Sequence, residues 1–179
     1  MIIGDSTSIH LQDPTGLGRW SGLTFGGKNG FRFTLITAYQ VCRGSASTTS
    51  IGSSFNREHN YFKNQGHLSP NPWQQLFNSL LSLVHQLSAS PNHSVVVMLD
   101  ANSALSDDTA FQEFVSEAQL FDLHSSTAAP STYIGAPNRR IDYIFGCHRV
   151  LRALQRSGSL SYYDGPHFDH RGFVYRCGL

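Results

Sequence analysis

The chain has 179 residues, 40% of them hydrophobic and only 14% charged, with a formal net charge of +1. That is enough apolar material for one globular domain with a real core, and it excludes a disordered chain. It also excludes a protein that coats nucleic acid through a strong basic excess, so any nucleic-acid contact has to be local.

Arg19 to Phe25 alternates well enough to predict a strand. Gly26-Gly27-Lys28-Asn29-Gly30 follows, and Asn-Gly signals a hairpin because both residues tolerate positive φ. Phe31 to Tyr39, rich in β-branched and aromatic residues, is then the partner strand. Residues 42 to 69, with the polar stretch RGSASTTSIGSS, read as irregular, and a loop that long is expected to be functional or disordered. A helix is predicted from Asn71, which can cap it, with Pro72 in the first turn. Trp73, Leu76, Phe77, Leu80, Leu81, Val84 and Leu87 recur along it at helical spacing, and Pro91 lies beyond its end.

Val95 to Leu99 is a continuous apolar run, as suits a strand buried on both faces. Ser106 is expected to cap a second helix, with Asp107 and Asp108 near its positive end. Phe111, Phe114, Val115 and Ala118 form that helix's apolar stripe. Thr132 to Ile134 and Arg140 to Phe145 read as strands around a Gly135-Ala136-Pro137-Asn138 turn. Val150 to Tyr163 reads as one strand with a bulge or bend, and Gly172 to Arg176 as the last. Strands alternating with two helices, mostly hairpin-linked, predict an α/β sandwich with mixed, largely antiparallel sheets.

Cys42, Cys147 and Cys177 form no CxxC spacing, and their odd number argues against a disulfide scaffold and for a reducing, intracellular setting. Nucleus and cytoplasm are not distinguished. No apolar run approaches the roughly 20 residues of a membrane span. MIIGDSTSIH lacks the basic and apolar regions of a signal peptide, so none is expected.

Three short segments carry chemistry. Asp100-Ala101-Asn102 follows the buried strand; an Asp there can orient or deprotonate water, and an Asn can hydrogen-bond a phosphate without adding charge. Taken alone, Asp-x-Asn is more often a turn. Asp142 sits between apolar neighbours in Arg140-Ile141-Asp142-Tyr143-Ile144-Phe145, where an unpaired carboxylate is costly. Its bland reading is an ion pair with Arg139 or Arg140. Asp169-His170 can split labour between a metal ligand and a phosphate donor, with Asp142 orienting the imidazole; alone, it is an ordinary surface loop. His59, His67, His85 and His93 make no zinc spacing. The Gly26–Gly30 segment has no following helix with Lys-Ser/Thr, so it is a turn and not a phosphate cradle. Arg43 and Arg57, on the polar stretch, are placed to track a nucleic-acid backbone.

Together, VVVMLDAN, STYIG followed by RRIDYIF, and FDHRG resemble the motifs of the endonuclease/exonuclease/phosphatase family, over roughly residues 13 to 176. LITAYQV resembles the family strand that ends in a phosphate-facing Tyr, here Tyr39. GRWSGLTFGGKNG with LITAYQVC is most similar to endonuclease domains of mobile elements. The resemblance implies a DNase I-like, four-layer α/β sandwich, present in part, and metal-dependent phosphodiester hydrolysis with magnesium or manganese. It implies that Asp100 activates water and that Asn102 holds the water or the phosphate. It further implies that His170 binds a phosphate oxygen backed by Asp142, that Tyr39 hydrogen-bonds the phosphate, and that Asp169 ligates the metal.

The family's earlier strand, carrying an Asn and then a metal-binding Glu, has no counterpart here, and Phe168 stands where the motif has Ser. The expectation is therefore one N-terminally truncated domain over residues 1 to 179, with weak metal affinity. A sheet edge and apolar face should be left for a missing segment or partner chain to cover. DNA is the expected substrate. The rival readings are an inactive module that binds nucleic acid or protein, and a phosphatase of inositol phosphates or lipids.

Overall fold

The computed structural model describes residues 8–42, 53–124, 131–135, 139–162 and 169–178. A six-stranded mixed sheet runs in the order β1-β2-β3-β4-β6-β5. Its strands are β1 (Ile9–Gln12), β2 (Trp20–Gly26), β3 (Arg32–Tyr39), β4 (His93–Asp100), β5 (Phe121–Asp122) and β6 (Asp142–Gly146). β2 and β3 form the expected hairpin, turned at Asn29 and Gly30 with φ of 56° and 72°. β3 and β4 lie parallel, so a crossover must join them. It is made by α1 (Ser54–Asn64) and α2 (Pro72–Ser88).

The six-stranded sheet is covered by different layers on its two faces. Leu76, Phe77, Leu80 and Val84 of α2 and Phe111 and Phe114 of α3 (Thr109–Glu117) pack on Ile36, Val95, Val97, Leu99, Tyr143 and Phe145. Phe77, Phe111 and Phe145 are almost fully buried, each contributing about 2–3 kcal/mol of apolar burial. On the other face, Val96, Met98 and Ile144 meet α4 (His148–Ala153) and the hairpin of β7 (Leu154–Ser159) with β8 (Phe173–Cys177). Toward the β1 edge, among the described residues, Leu23, Leu35 and Met98 of that face line a shallow groove of about 310 Å³.

Several expectations need correction. Residues 53–64 are not irregular; Ser53 caps α1 by accepting from the Asn56 amide. Polar composition hid this helix, because only Phe62 and, unexpectedly, Glu58 are buried on it. α3 is capped by Asp108, whose carboxylate accepts from the Phe111 amide, while Ser106 sits in a short turn before it. Residues 150–153 continue a helix, and the strand begins only at Leu154. Residues 132–134 form no strand beyond a single bridge between Tyr133 and His170. β1 and β5 were not foreseen; both are short edge strands with little patterning.

α1 docks through charge as well as apolar contact. Asp13 and Arg19 form a buried ion pair at 2.8 Å, the Arg19 guanidinium lies over the Phe62 ring, and Glu58 is buried beside them. Burial pushes the Glu58 carboxyl up to about 7, with Arg19 opposing and Asp13 adding to the shift. The folded value exceeds the ordinary one of about 4.3, so this stability is complete below about pH 4 and lost as pH rises through the folded value. Glu58→Gln should therefore match the parent in urea unfolding near pH 4 and exceed it near about pH 8, with a flatter pH dependence.

Candidate active site

The site begins with strand register. Tyr39 on β3 pairs with Asp100 on β4, and Asp100 pairs with Asp142 on β6. Directly paired residues point to the same face, so all three side chains stand in one row at the sheet end where β3 and β4 finish. Two carboxylates directly opposite repel each other. His170 relieves this: its Nδ1 lies 2.9 and 3.1 Å from the two carboxylate oxygens of Asp142.

His170 is brought there by a short pairing of the 131–134 segment with residues 169–171. The Ile134 amide donates to the Asp169 carbonyl at 2.9 Å, and the Arg171 amide donates to the Thr132 carbonyl at 2.7 Å. The Thr132 hydroxyl, fully buried, accepts from the amides of both Ile141 and Asp142 at 3.0 Å. One side chain thus ties the start of β6 to the segment carrying the imidazole. The Tyr133 ring packs 5.1 Å from the His170 ring. Arg140 does not pair with Asp142 through its carboxylate. It binds Asp122 at 2.6 and 2.9 Å and donates to the Asp142 backbone carbonyl, fixing the backbone.

Asn102 sits in the left-handed region at φ 49°, which Asn tolerates better than most residues. Its amide donates to Asp100 Oδ1 at 3.1 Å. Its Nδ2 donates to the Gln40 carbonyl at 2.6 Å, and its side chain also hydrogen-bonds the Tyr39 phenol. The Gln40 carbonyl therefore turns the nitrogen of the carboxamide toward the backbone and its Oδ1 away from it.

These contacts set the charges. Burial raises the Asp100 pKa, the charges of Asp142 and Asp169 add to it, and the Asn102 amide and His170 oppose it. Burial works against the His170 imidazolium, but the hydrogen bond and charge of Asp142, with Asp100 and Asp169, outweigh it and raise the pKa. Burial also raises the Tyr39 phenol, helped by Cys42 and Asp100, while Asn102 opposes. The His170–Asp142 pair is part-exposed, 35% and 19%, so screening makes it a weak source of stability and chiefly an orienting contact.

Asp100, Asp142 and His170 each offer a donor atom, all within 4.8 Å of one another. Two carboxylates meet the usual oxygen requirement of a hard divalent cation, and a bound cation would offset their repulsion. The residues present thus fit a metal. Of the residues singled out in the sequence, Tyr39, Asp100, Asn102, Asp142 and His170 come together. Asp169 is exposed at the rim, outside that cluster, but its charge reaches Asp100 and His170. Arg57 is exposed on α1 rather than on a loop. Arg43 lies outside the described residues. Thr132, Gln40 and Asp108 were missed; buried polar residues beside a candidate motif are the signal that pointed to them.

No family model and no curated protein matches this sequence. Solved structures do. The AP endonuclease LMAP from Leishmania major matches with a TM-score of 0.65 at 13% identity, over 95% of this chain and 61% of that one. The endonuclease domain of TRAS1, a telomere-specific non-LTR retrotransposon, matches at 0.60 and 14%, over 99% of this chain and 72% of that one. Its fold is that of the endonuclease/exonuclease/phosphatase proteins. The 3′ phosphatase NExo from Neisseria, bound to product DNA hairpin, shares this fold at a TM-score of 0.53 and 15% identity, over 88% of this chain and 65% of that one. The chain spans less than two thirds of the length of LMAP and of NExo. At these identities the likeness is one of fold. Among the described residues no helix is long and apolar enough to cross a membrane.

Asp142→Asn should remove most of the support for the imidazolium. A folded pKa above the ordinary value means that the pair stabilises the fold at low pH and loses that effect as pH rises through the folded value. The His170 ring titration followed by NMR should therefore move to lower pH in Asp142→Asn, and an unmoved midpoint would contradict the pairing.

Proposed function

We propose that this chain carries the catalytic row of a divalent-metal phosphodiesterase, acting on DNA as an endonuclease of mobile-element type. The observation that carries the reading is the row Tyr39–Asp100–Asp142, closed by His170 on Asp142. It rests on three neighbouring strands of the sheet, which hold it rigidly.

Asp100 takes a proton from water as the water oxygen bonds to phosphorus. Its raised pKa brings it closer to the working range of a general base. Asn102, with Nδ2 turned to the Gln40 carbonyl, holds that water through Oδ1 rather than donating to the phosphate. The His170 imidazolium, oriented by Asp142, donates to a non-bridging phosphate oxygen, and the Tyr39 hydroxyl donates to another. As the P–O bond to the leaving group breaks, that oxygen takes a proton from solvent. Asp169 and the neighbouring carboxylates would hold magnesium or manganese, which supplies charge neutralisation at phosphorus and the leaving oxygen. Arg43 and Arg57 are assigned to the nucleic-acid backbone.

DNA is favoured by the likeness to an AP endonuclease and a retrotransposon endonuclease domain. The mobile-element assignment rests on that second likeness together with the stretch from Gly18 to Cys42. A second reading, phosphomonoester hydrolysis, is favoured by the likeness to a 3′ phosphatase. A non-catalytic module that binds nucleic acid or protein is the third.

Supercoiled plasmid with magnesium or manganese separates them. The parent should nick it, and Asp100→Asn or His170→Ala should each lower the rate by about 100-fold or more. Asp169→Ala should instead raise the metal concentration needed. Plasmid retardation without nicking, unaffected by these substitutions, would favour the binding module. Release of phosphate from a 3′-phosphorylated oligonucleotide with no nicking would favour the phosphatase.

A further inference from the structure

Gln40 is the first residue after β3 and its side chain is fully buried, although it carries a primary amide. Its backbone amide donates to the Asp100 carbonyl at 2.9 Å, and its carbonyl accepts from Asn102 Nδ2 at 2.6 Å. Its side-chain Nε2 donates to Asp108 Oδ2 at 3.3 Å. Asp108 is itself buried; its other oxygen caps α3 through the Phe111 amide at 3.2 Å. The Ser103 hydroxyl, with one proton to give, lies 3.2 Å from the Ala101 carbonyl and 3.5 Å from Asp108 Oδ2. A buried polar network therefore runs from α3, through Gln40, to the loop that presents Asn102.

This arrangement is costly. Burying an amide and a carboxylate loses hydration, and Gln40 Oε1 is buried with no partner among the described residues. Capping α3 requires only Asp108, and an apolar side chain at position 40 would fill the same space without that loss. What the amide adds is a second tie, from the backbone already held on the Asp100 carbonyl to Asp108 at the start of α3, which stiffens the Gln40 carbonyl. A carbonyl only accepts, so it forces the Asn102 Nδ2 inward and its Oδ1 outward. With that anchor loosened, the carboxamide is held only by its contact with the exposed Tyr39 phenol among the described residues.

We infer that Gln40 and Asp108 are positioning residues, a buried strut that fixes the side-chain amide of Asn102 and, through it, the Tyr39 hydroxyl. The hydrolytic consequence rests on the function proposed above; the strut itself does not. The unpartnered Gln40 Oε1 makes a particular demand. In Asp108→Asn the new Nδ2 donates to that oxygen once the Gln40 amide turns over, and Ser103 keeps the Ala101 carbonyl, so the strut survives. Asp108→Ser still caps α3 but is too short to reach Gln40. Gln40→Met keeps the volume and removes the donor.

The test follows the Asn102 side-chain amide by ¹⁵N NMR together with plasmid nicking. The parent and Asp108→Asn should show one exchange-protected amide pair. Gln40→Met and Asp108→Ser, folded by circular dichroism, should lose that protection. In nicking, those two should lose up to about 100-fold in kcat with KM little changed, while Asp108→Asn stays near the parent. An Asn102 amide unchanged in Gln40→Met, or Asp108→Asn behaving like Asp108→Ser, would overturn the strut. A parent that does not nick would overturn the proposed hydrolysis and leave the amide signals to decide the strut alone.

Discussion

Asp100 and Asp142 face each other across β4 and β6, and two negative charges in that relation push apart. The register that creates the conflict is set by the core, since the same strands bury Val97, Leu99, Tyr143 and Phe145 against α2 and α3. A one-residue slip would expose that apolar face, so the acids cannot escape by sliding. The repulsion has to be answered locally. His170 answers part of it on Asp142, and a cation or a donor-rich ligand is the natural answer for the rest. The hydrophobic effect thus holds in place an electrostatic tension that by itself would not persist.

The support around the row follows from this. Thr132 and Arg140 hold the backbone at Asp142 without neutralising its carboxylate, which remains available to His170. Arg140 is instead satisfied by Asp122 and lies over the Tyr143 ring. A guanidinium placed directly on Asp142 would have removed the reason for the imidazole to be there.

Much of the site was legible in the sequence because strand ends are. VVVML suits a buried strand, which puts Asp100 at its end, and an Asp inside RRIDYIF needed a partner. The partner proved to be His170 and not the neighbouring arginines, because Arg140 is taken by Asp122 and Arg139 lies by Asp107. α1 was not legible: its sequence is polar, and its docking relies on Phe62 and Glu58 meeting a buried ion pair that forms between Asp13 and Arg19. Asp108 lost to Ser106 as the expected cap because both are good capping residues. Asp108 also bonds Gln40, sixty-eight residues away in sequence. Such long-range polar partners leave no periodic trace.

The parallel pairing of β3 with β4 has a consequence for how the molecule comes together. Gln40 and Asn102 stand 62 residues apart along the chain, and they meet only after the two-helix crossover has closed. Long-range parallel contacts are bought with loop-closure entropy before they are rewarded, so this step is expected late in folding. Asp142 joins β4 by a second long connection, and His170 arrives last in chain order. A state holding only α2 and the β2–β3 hairpin would carry Tyr39 without Asp100, Asp142 or His170 beside it, which makes chemical competence a property of the finished tertiary structure alone.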